Sequence, residues 1–216
     1  MTDFLFPRLH KEGYRFLAIA AVITFILLLI SNLLGLVSFI LTIWVYYFFR
    51  DPERFPINDE NYLLSPADGI ISQIIETNGP SEIGQENKKY TRVSIFMNVF
   101  NCHVNRIPFS GKIIKIFYKP GKYINASLDK ASEENERNYV KMINSNGDEL
   151  ILVQVAGLIA RRIVCEMKEN DETTQGDRFG IIRFGSRVDL YFENYQLMAQ
   201  KNQKTIGGET IIARKK

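Results

Sequence analysis

From Phe16 to Phe49 the chain reads FLAIAAVITFILLLISNLLGLVSFILTIWVYYFF, 34 residues without a charged side chain. A helix on the surface of a soluble protein carries a polar face, and this stretch has none. We therefore interpret the stretch as membrane-embedded. A cleaved signal peptide fits it poorly, because the apolar region of such a peptide is much shorter.

The length of this stretch leaves two arrangements open. A single helix would be about 51 Å long, against a hydrocarbon core of about 30 Å. Two helices broken near Ser31-Asn32 would each be about 23 Å long. Basic residues on both sides place both ends in the cytoplasm and favour a helical hairpin over one tilted span; these residues are Arg8, Lys11, Arg15, Arg50 and Arg54.

The composition of the 216 residues is that of a folded protein, with 46% hydrophobic and 24% charged residues, which excludes a disordered or fibrous chain. The net charge is +3 without a basic stripe, so we expect no nucleic-acid partner. The two cysteines and two histidines are too few and too scattered for a structural zinc site, and we predict no metal. Cys102 and Cys165 are expected to be free thiols in a reducing compartment.

Residues 1–50 thus form a predicted membrane anchor, and residues 51–216 are long enough for one domain with its own core. That domain has short segments rich in Ile, Val, Phe and Tyr, separated by Gly, Asn, Pro and Ser. This texture predicts a mainly β domain, a sandwich or barrel with short helices, and not βαβ units. The predicted strands are Gly69–Glu76, Tyr90–Asn98, Lys112–Tyr118, Tyr139–Asn144, Leu150–Val155, Ile163–Met167, Gly180–Phe184 and Arg187–Phe192. The polar segment Asp129–Asn138 is expected to form one or two helical turns, and the tail after Gln200 to be loosely held.

Three places in this domain carry side chains suited to chemistry. His103 lies in the polar segment Asn101–Arg106 after an apolar strand, and imidazole titrates near neutral pH. Asp68 lies in Ser65–Gly69 (SPADG), where a carboxylate could orient a histidine. Gly185-Ser186 offers a hydroxyl next to a carbonyl that no side chain shields. Taken one at a time, each also reads as structural: a satisfied histidine, a turn, and a hairpin turn.

Taken in order, these places resemble the phosphatidylserine decarboxylases, and within them the short bacterial and archaeal type of roughly 200 residues. The resemblance covers most of residues 48–192, and the apolar N-terminal stretch also fits the family. Its segments are Phe48–Arg54 (FFRDPER), Ser65–Gly69, Phe96–Pro108, Tyr118–Gly121, Ser127–Arg137, Gln154–Val164 and Phe179–Phe192.

The resemblance implies a self-processing proenzyme. In this family a serine hydroxyl attacks the carbonyl of the preceding glycine, and the resulting ester breaks down to leave a pyruvoyl group at a new N-terminus. Carried over, cleavage falls between Gly185 and Ser186 and gives a β chain of residues 1–185 and an α chain of residues 186–216. Ser186 becomes the pyruvoyl cofactor, and Asp68 orients His103 as the base for Ser186.

The resemblance also implies the reaction and its setting. The pyruvoyl group forms a Schiff base with the amine of phosphatidylserine and accepts the electrons released with CO₂, leaving phosphatidylethanolamine. His103 is the candidate proton donor in that step. The partners are then phosphatidylserine in the membrane and the self-generated β/α pair, at the cytoplasmic face of the cell membrane. Whether the pairs assemble into a higher oligomer stays open.

One position departs from the longer members of the family, which carry a second histidine three residues after the first. Here that residue is Arg106, so a two-histidine mechanism is excluded. Arg106 could bind the lipid phosphate or the substrate carboxylate, and Arg161 and Arg162 are further candidates for the phosphate. The alternative for each of the three is a surface ion pair.

Two other classes of function remain open from the residues alone. A serine hydrolase could use Asp68, His103 and Ser186, and it would keep its serine and react with fluorophosphonates. A membrane-tethered β domain that only binds would stay an intact chain and would not react with carbonyl reagents.

Overall fold

The structure is a computed structural model, and it describes residues 6–123, 134–157, 162–183 and 186–216, with residue 186 described for its backbone only. Two helices occupy the apolar stretch: α1 Gly13–Ile30 and α2 Asn32–Phe48. Ser31 between them has an extended backbone, with φ −161° and ψ 133°. The predicted break near Ser31-Asn32 is therefore confirmed.

The two helices pack antiparallel as a hairpin. The Thr24 hydroxyl lies 2.8 Å from that of Ser38 and 2.8 Å from that of Thr42. Gly35 faces Leu28 so closely that a Cβ added to it would lie 2.9 Å from the Leu28 Cα. The outward apolar side chains are exposed along both helices. By length and composition α1 could cross a membrane, and α2 is one residue shorter.

Strands make up most of the remaining chain, as the sequence predicted. In the described residues they are β1 Tyr62–Leu64, β2 Gly69–Asn78, β3 Lys89–Met97, β4 Val104–Arg106, β5 Gly111–Lys119, β6 Arg137–Ile143, β7 Glu149–Ala156, β8 Ile163–Cys165, β9 Glu172–Thr173, β10 Arg178–Ile182, β11 Ser186–Phe192, β12 Tyr195–Leu197, β13 Lys204–Thr205 and β14 Ile211–Lys215. A short 3₁₀ turn, Ser81–Ile83, lies between β2 and β3.

The strands form three antiparallel sheets. The large sheet has the order β13-β2-β3-β11-β7-β6-β5-β9, and the two small ones are β1-β14-β12 and β4-β10-β8. The main core contains side chains from all three sheets, such as Ile95, Val188, Phe179 and Ile212. The predicted class, a mainly β domain preceded by a helical hairpin, is confirmed.

All eight predicted strands are present, with each end within two residues of the predicted one. The expectation of a loosely held tail was wrong. β14 is the central strand of its small sheet, and its Ile212 and Ala213 are fully buried. Residues 129–133 of the segment expected to form helical turns fall outside the described residues; in the other half Asn135 forms an isolated bridge with Lys122, and the last two residues begin β6. Cys102 and Cys165 are free thiols, as predicted.

A separate apolar cluster joins the hairpin to the β domain. Phe48 and Phe49, at the end of α2, pack with Cys102, Val104 and Ile181. Two backbone hydrogen bonds tie the chain before α1 to the chain after α2, one from the His10 N–H to the Phe49 carbonyl at 2.8 Å. The base of the hairpin is thus built into the sheet β4-β10-β8.

Candidate active site

One end of the large sheet brings two of the predicted site residues near each other. β11 begins at Ser186, which pairs with Met97 at the end of β3 and with Ala156 at the end of β7. β2 pairs with the other side of β3 and begins at Gly69 at this same end. Asp68 and Ser186 therefore lie at one end of the sheet, separated by a single strand.

The third predicted residue comes from the small sheet beside this end. His103 immediately precedes β4, which pairs with β10 through Val104 and Ile181. The backbone carbonyl of His103 accepts a hydrogen bond from Ile182, the last residue of β10, at 3.4 Å. β10 leads through three residues into Ser186. His103 thus lies beside the strand that delivers Ser186, while Gly185 and the Ser186 side chain lie outside the described residues.

His103 is enclosed and held from two directions. Its ring is fully buried and stacks on Phe48 with centroids 4.2 Å apart. Nδ1 lies 3.0 Å from the Asn101 carbonyl, so the neutral tautomer that donates this bond carries its lone pair on Nε2. Burial lowers the pKa of His103 to about 3; the Asn101 contact opposes this shift, and the Arg50 charge adds to it. The ring is therefore a neutral imidazole at physiological pH.

Asp68 is fixed by groups other than His103. Its two carboxylate oxygens accept hydrogen bonds from the Arg54 guanidinium at 2.9 and 2.7 Å. The Gly207 N–H donates to the same carboxylate at 2.7 Å, so the C-terminal segment also holds it. In the part of the chain described, the bonds to Asp68 come from these two residues. That Asp68 assists His103 therefore stays a prediction.

A cleft of about 970 Å³ opens between the hairpin base and the β domain, and Asp68 lines it. This volume is at the upper end of the range for small-molecule pockets. Its wall is mainly aromatic on the hairpin side, and charged and apolar residues alternate on the side of the β domain. The lining includes Arg8, Trp44, Tyr47, Phe48, Arg50, Glu53, Arg54, Asp68, Phe100 and Glu209.

The sequence of this chain is similar to known proteins along its whole length. The sequence model of the phosphatidylserine decarboxylase family matches residues 41–213. The chain belongs to this family. It is 60% identical over 215 residues to the phosphatidylserine decarboxylase proenzyme of Pelagibacter ubique, covering the full length of both chains. It is 54% identical over 211 residues to the proenzyme of Rickettsia typhi, covering 97% of this chain and 91% of that one.

The three arginines that were candidates for binding the lipid phosphate differ in their exposure to solvent. Arg106 is buried, and its guanidinium donates to Asp51 at 2.9 Å and to the carbonyls of Pro52 and Gly176. Its charge is therefore already satisfied, but by a buried ion pair and not by the surface ion pair given as the alternative. Arg162 is exposed, and Arg161 lies outside the described residues.

Arg50 is a cation of the cleft to which the sequence gave no catalytic or substrate-binding role. Its guanidinium donates to the Tyr47 carbonyl at 2.6 Å and to the Phe100 carbonyl at 3.0 Å. Among the described residues no carboxylate lies within ion-pair distance of it, whereas Arg8 pairs with Glu53. The only signal in the sequence was its position directly after the apolar stretch. Arg54 was missed in the same segment, and nothing local pointed to Gly207.

Arg106→Gln should lower stability and leave substrate binding unchanged. The substitution breaks a buried ion pair and two buried hydrogen bonds, at a cost of about 3 kcal/mol. We expect a clearly lower melting temperature in detergent and an unchanged KM for phosphatidylserine in the fraction that folds. A raised KM at unchanged melting temperature would instead assign Arg106 to the substrate.

Acid should destabilise the folded chain through His103. The folded ring has a pKa of about 3 and the unfolded ring one near 6.5, so below pH 6.5 the unfolded state binds the extra proton. The loss is about 1.4 kcal/mol per pH unit, and the contribution is fully present above pH 6.5. Between pH 7 and 5 the melting temperature of His103→Gln should therefore fall less than that of the parent chain. Equal falls would mean that the ring is solvated.

Proposed function

We propose that this chain is a phosphatidylserine decarboxylase proenzyme that cleaves itself between Gly185 and Ser186 and uses the resulting pyruvoyl group. The observation that carries the proposal is the shared sheet end in a chain of this family. Asp68 and the start of β11 lie at that end, and His103 lies beside β10, the strand that leads to Ser186. The relatives are named proenzymes, which supports a chain that is processed.

In the processing step the Ser186 hydroxyl attacks the Gly185 carbonyl. His103 accepts the hydroxyl proton at Nε2, and that proton passes to the nitrogen that leaves Gly185, so the peptide becomes an ester. Removal of the Ser186 α-proton then expels the Gly185 carboxylate and leaves dehydroalanine. Its enamine form becomes an imine, and water converts the imine to a ketone with release of ammonia.

The neutral state of His103 suits this role. A buried imidazole with a low pKa is unprotonated at working pH and carries a lone pair that can take a proton. It is a weak base, so it holds the proton only briefly and gives it up to the leaving nitrogen. The Asn101 carbonyl holds the Nδ1 side, which directs Nε2 for exchange. Asp68 contributes negative charge at the same sheet end, in a position set by Arg54 and Gly207.

The backbone at residue 186 is suited to carrying a covalent cofactor. β11 is an interior strand, paired along its length with β3 and β7, so a new N-terminus at Ser186 stays in place after cleavage. The pyruvoyl group supplies a carbonyl that binds the substrate amine and draws electrons from the bond to CO₂. His103, beside the strand that delivers residue 186, is placed to return a proton to the substrate carbon.

Substrate would reach this end through the cleft at the hairpin base. With the hairpin embedded in the bilayer, the cleft at its base would lie at the level of the lipid headgroups, and the basic residues that flank the hairpin support the cytoplasmic face. Aromatic side chains such as Trp44 and Tyr47 line that side, as is usual at a membrane interface. Of the three arginines that line the cleft, Arg50 is the one without a carboxylate partner among the described residues, and we assign it to the lipid phosphate.

Intact mass under denaturing conditions tests the processing directly. The purified chain should give two species that divide between Gly185 and Ser186. The smaller one should be lighter than its serine form by one ammonia, because the α-amino group is lost. The Ser186→Ala chain should stay whole and inactive.

Ser110→Ala, on the loop before β5, is the matched control and should be cleaved like the parent chain. A whole parent chain that reacts with a fluorophosphonate would favour the hydrolase. A whole chain that reacts with neither a fluorophosphonate nor a carbonyl reagent would favour the binding module.

Arg50→Gln should weaken substrate binding by removing a charged hydrogen-bond donor from the cleft. We expect KM for phosphatidylserine to rise about tenfold with kcat within about twofold, measured on fully cleaved enzyme. Arg214→Gln makes the same change on an exposed position of β14 and should leave both constants unaltered. A fall in kcat alone would place Arg50 in the chemical step.

A further inference from the structure

The connection that carries the scissile peptide is short and fixed at both ends. β10 ends at Ile182, paired with Ile163, and β11 begins at Ser186, paired on both sides. Three residues join them. Arg183, the first of the three, donates its backbone N–H to the Arg162 carbonyl at 3.2 Å. With so few residues, the placement of Arg183 limits where the Gly185 carbonyl can lie.

The Arg183 side chain is held by the base of helix α1. Its guanidinium forms an ion pair with the Glu12 carboxylate. The same guanidinium lies over the Phe16 ring, 5.4 Å from its centroid, as a cation–π contact. The Arg183 side chain is only 19% exposed and that of Glu12 25%. This pair is therefore partly desolvated, unlike an ordinary surface ion pair.

Helix geometry explains why Glu12 and Phe16 act together. Glu12 directly precedes α1 and Phe16 lies four residues later, so both side chains leave the same face of the helix. A carboxylate at a helix N-terminus is also favoured by the helix dipole. The preceding residues are anchored to the β domain, because His10 and Lys11 both pair with Glu166.

The same aromatic packing extends to His103, the proposed general base. Phe16 stacks on Phe49 at 5.1 Å, Phe49 contacts Phe48 edge-on at 4.9 Å, and Phe48 stacks on His103 at 4.2 Å. One continuous row of rings thus runs from Arg183, beside the scissile peptide, to His103. Arg183 and His103 therefore both contact aromatic rings at the base of the hairpin.

We propose that the hairpin base is a positioning element for self-cleavage, in which Glu12 and Phe16 hold Arg183 and thereby aim the Gly185 carbonyl at Ser186. The inference rests on the proposed cleavage between Gly185 and Ser186. It gives the N-terminal segment a role in maturation besides attachment to the membrane. Glu12, Phe16 and Arg183 act through the peptide they place and touch no substrate.

Glu12→Gln tests the proposal, because it keeps the shape of the side chain and removes the counter-charge of Arg183. The full chain would be made by cell-free synthesis with phosphatidylglycerol/phosphatidylethanolamine vesicles, and chain separation followed over time on denaturing gels. We expect cleavage about tenfold slower, the effect of weakening one charge-assisted contact at the reacting group. Phe16→Leu should slow it by a smaller factor.

Three comparisons separate positioning from general loss of structure. Glu60→Gln removes a carboxylate from an exposed surface position and should cleave at the parent rate. Arg183→Glu alone should be slow, and combining it with Glu12→Arg should recover most of the rate. On the uncleavable Ser186→Ala background, Glu12→Gln should lower the melting temperature by no more than about 4 °C, the size expected for loss of one partly desolvated ion pair.

The outcomes distinguish this inference from the proposed function. If the parent chain is not cleaved at 185/186, the proposed function fails and this inference with it. If the parent chain is cleaved and Glu12→Gln is cleaved equally fast, the inference alone is overturned. A melting temperature that drops in parallel with the rate, or a double variant that stays slow, would also overturn it, since the contact would then be structural only.

Discussion

The Asp51 carboxylate binds two arginines at the point where the chain leaves the helical hairpin. It accepts from Arg106 of β4 at 2.9 Å and from Arg178 of β10 at 2.5 Å, and its side chain is only 11% exposed. A carboxylate so poorly hydrated is tolerated only with such partners, and the Arg106 charge equally needs Asp51. These two ion pairs thus fix the end of the hairpin against β4, which directly follows His103, and β10, which leads to Ser186. The cleft, the aromatic row and the position of Arg183 all follow from that junction.

Antiparallel pairing of four strands brings together residues that a single loop could not. β2, β3, β11 and β7 are neighbours in the large sheet, so their ends form one row, and residues distant in sequence meet there. The C-terminal segment closes the row from the other side, because Gly207 and Thr205 bond to Asp68 and the Ala67 carbonyl. Side chains placed by sheet registers are held more tightly than side chains on a free loop, which suits a reaction of the chain with its own backbone.

Much of this architecture could be predicted from local pattern. A charge-free stretch with a polar Ser-Asn step predicted two helices, and Ile/Val-rich segments predicted eight of the strands. Five strands of two or three residues were missed because so few residues carry no period. The five-residue β14 was missed because its burial depends on pairing with the distant Tyr62–Leu64. Arg106 could not be assigned in the same way. Its partner Asp51 lies 55 residues away, and nothing near either residue shows that they meet.

The interior position of β11 has a consequence for the processed protein. Residues 186–216 supply β11 inside the large sheet and β14 at the centre of a small one. Cleavage before Ser186 would therefore leave residues 186–216 hydrogen-bonded into two sheets but without a covalent bond to the rest of the protein. Such a fragment stays bound while the protein is folded, but after unfolding the two pieces would diffuse apart. Folding of the uncut chain is a unimolecular event, whereas reassembly after the cut depends on concentration. The stability of the mature protein would then be kinetic: it would depend on a slow rate of unfolding, and not on a reversible folding equilibrium.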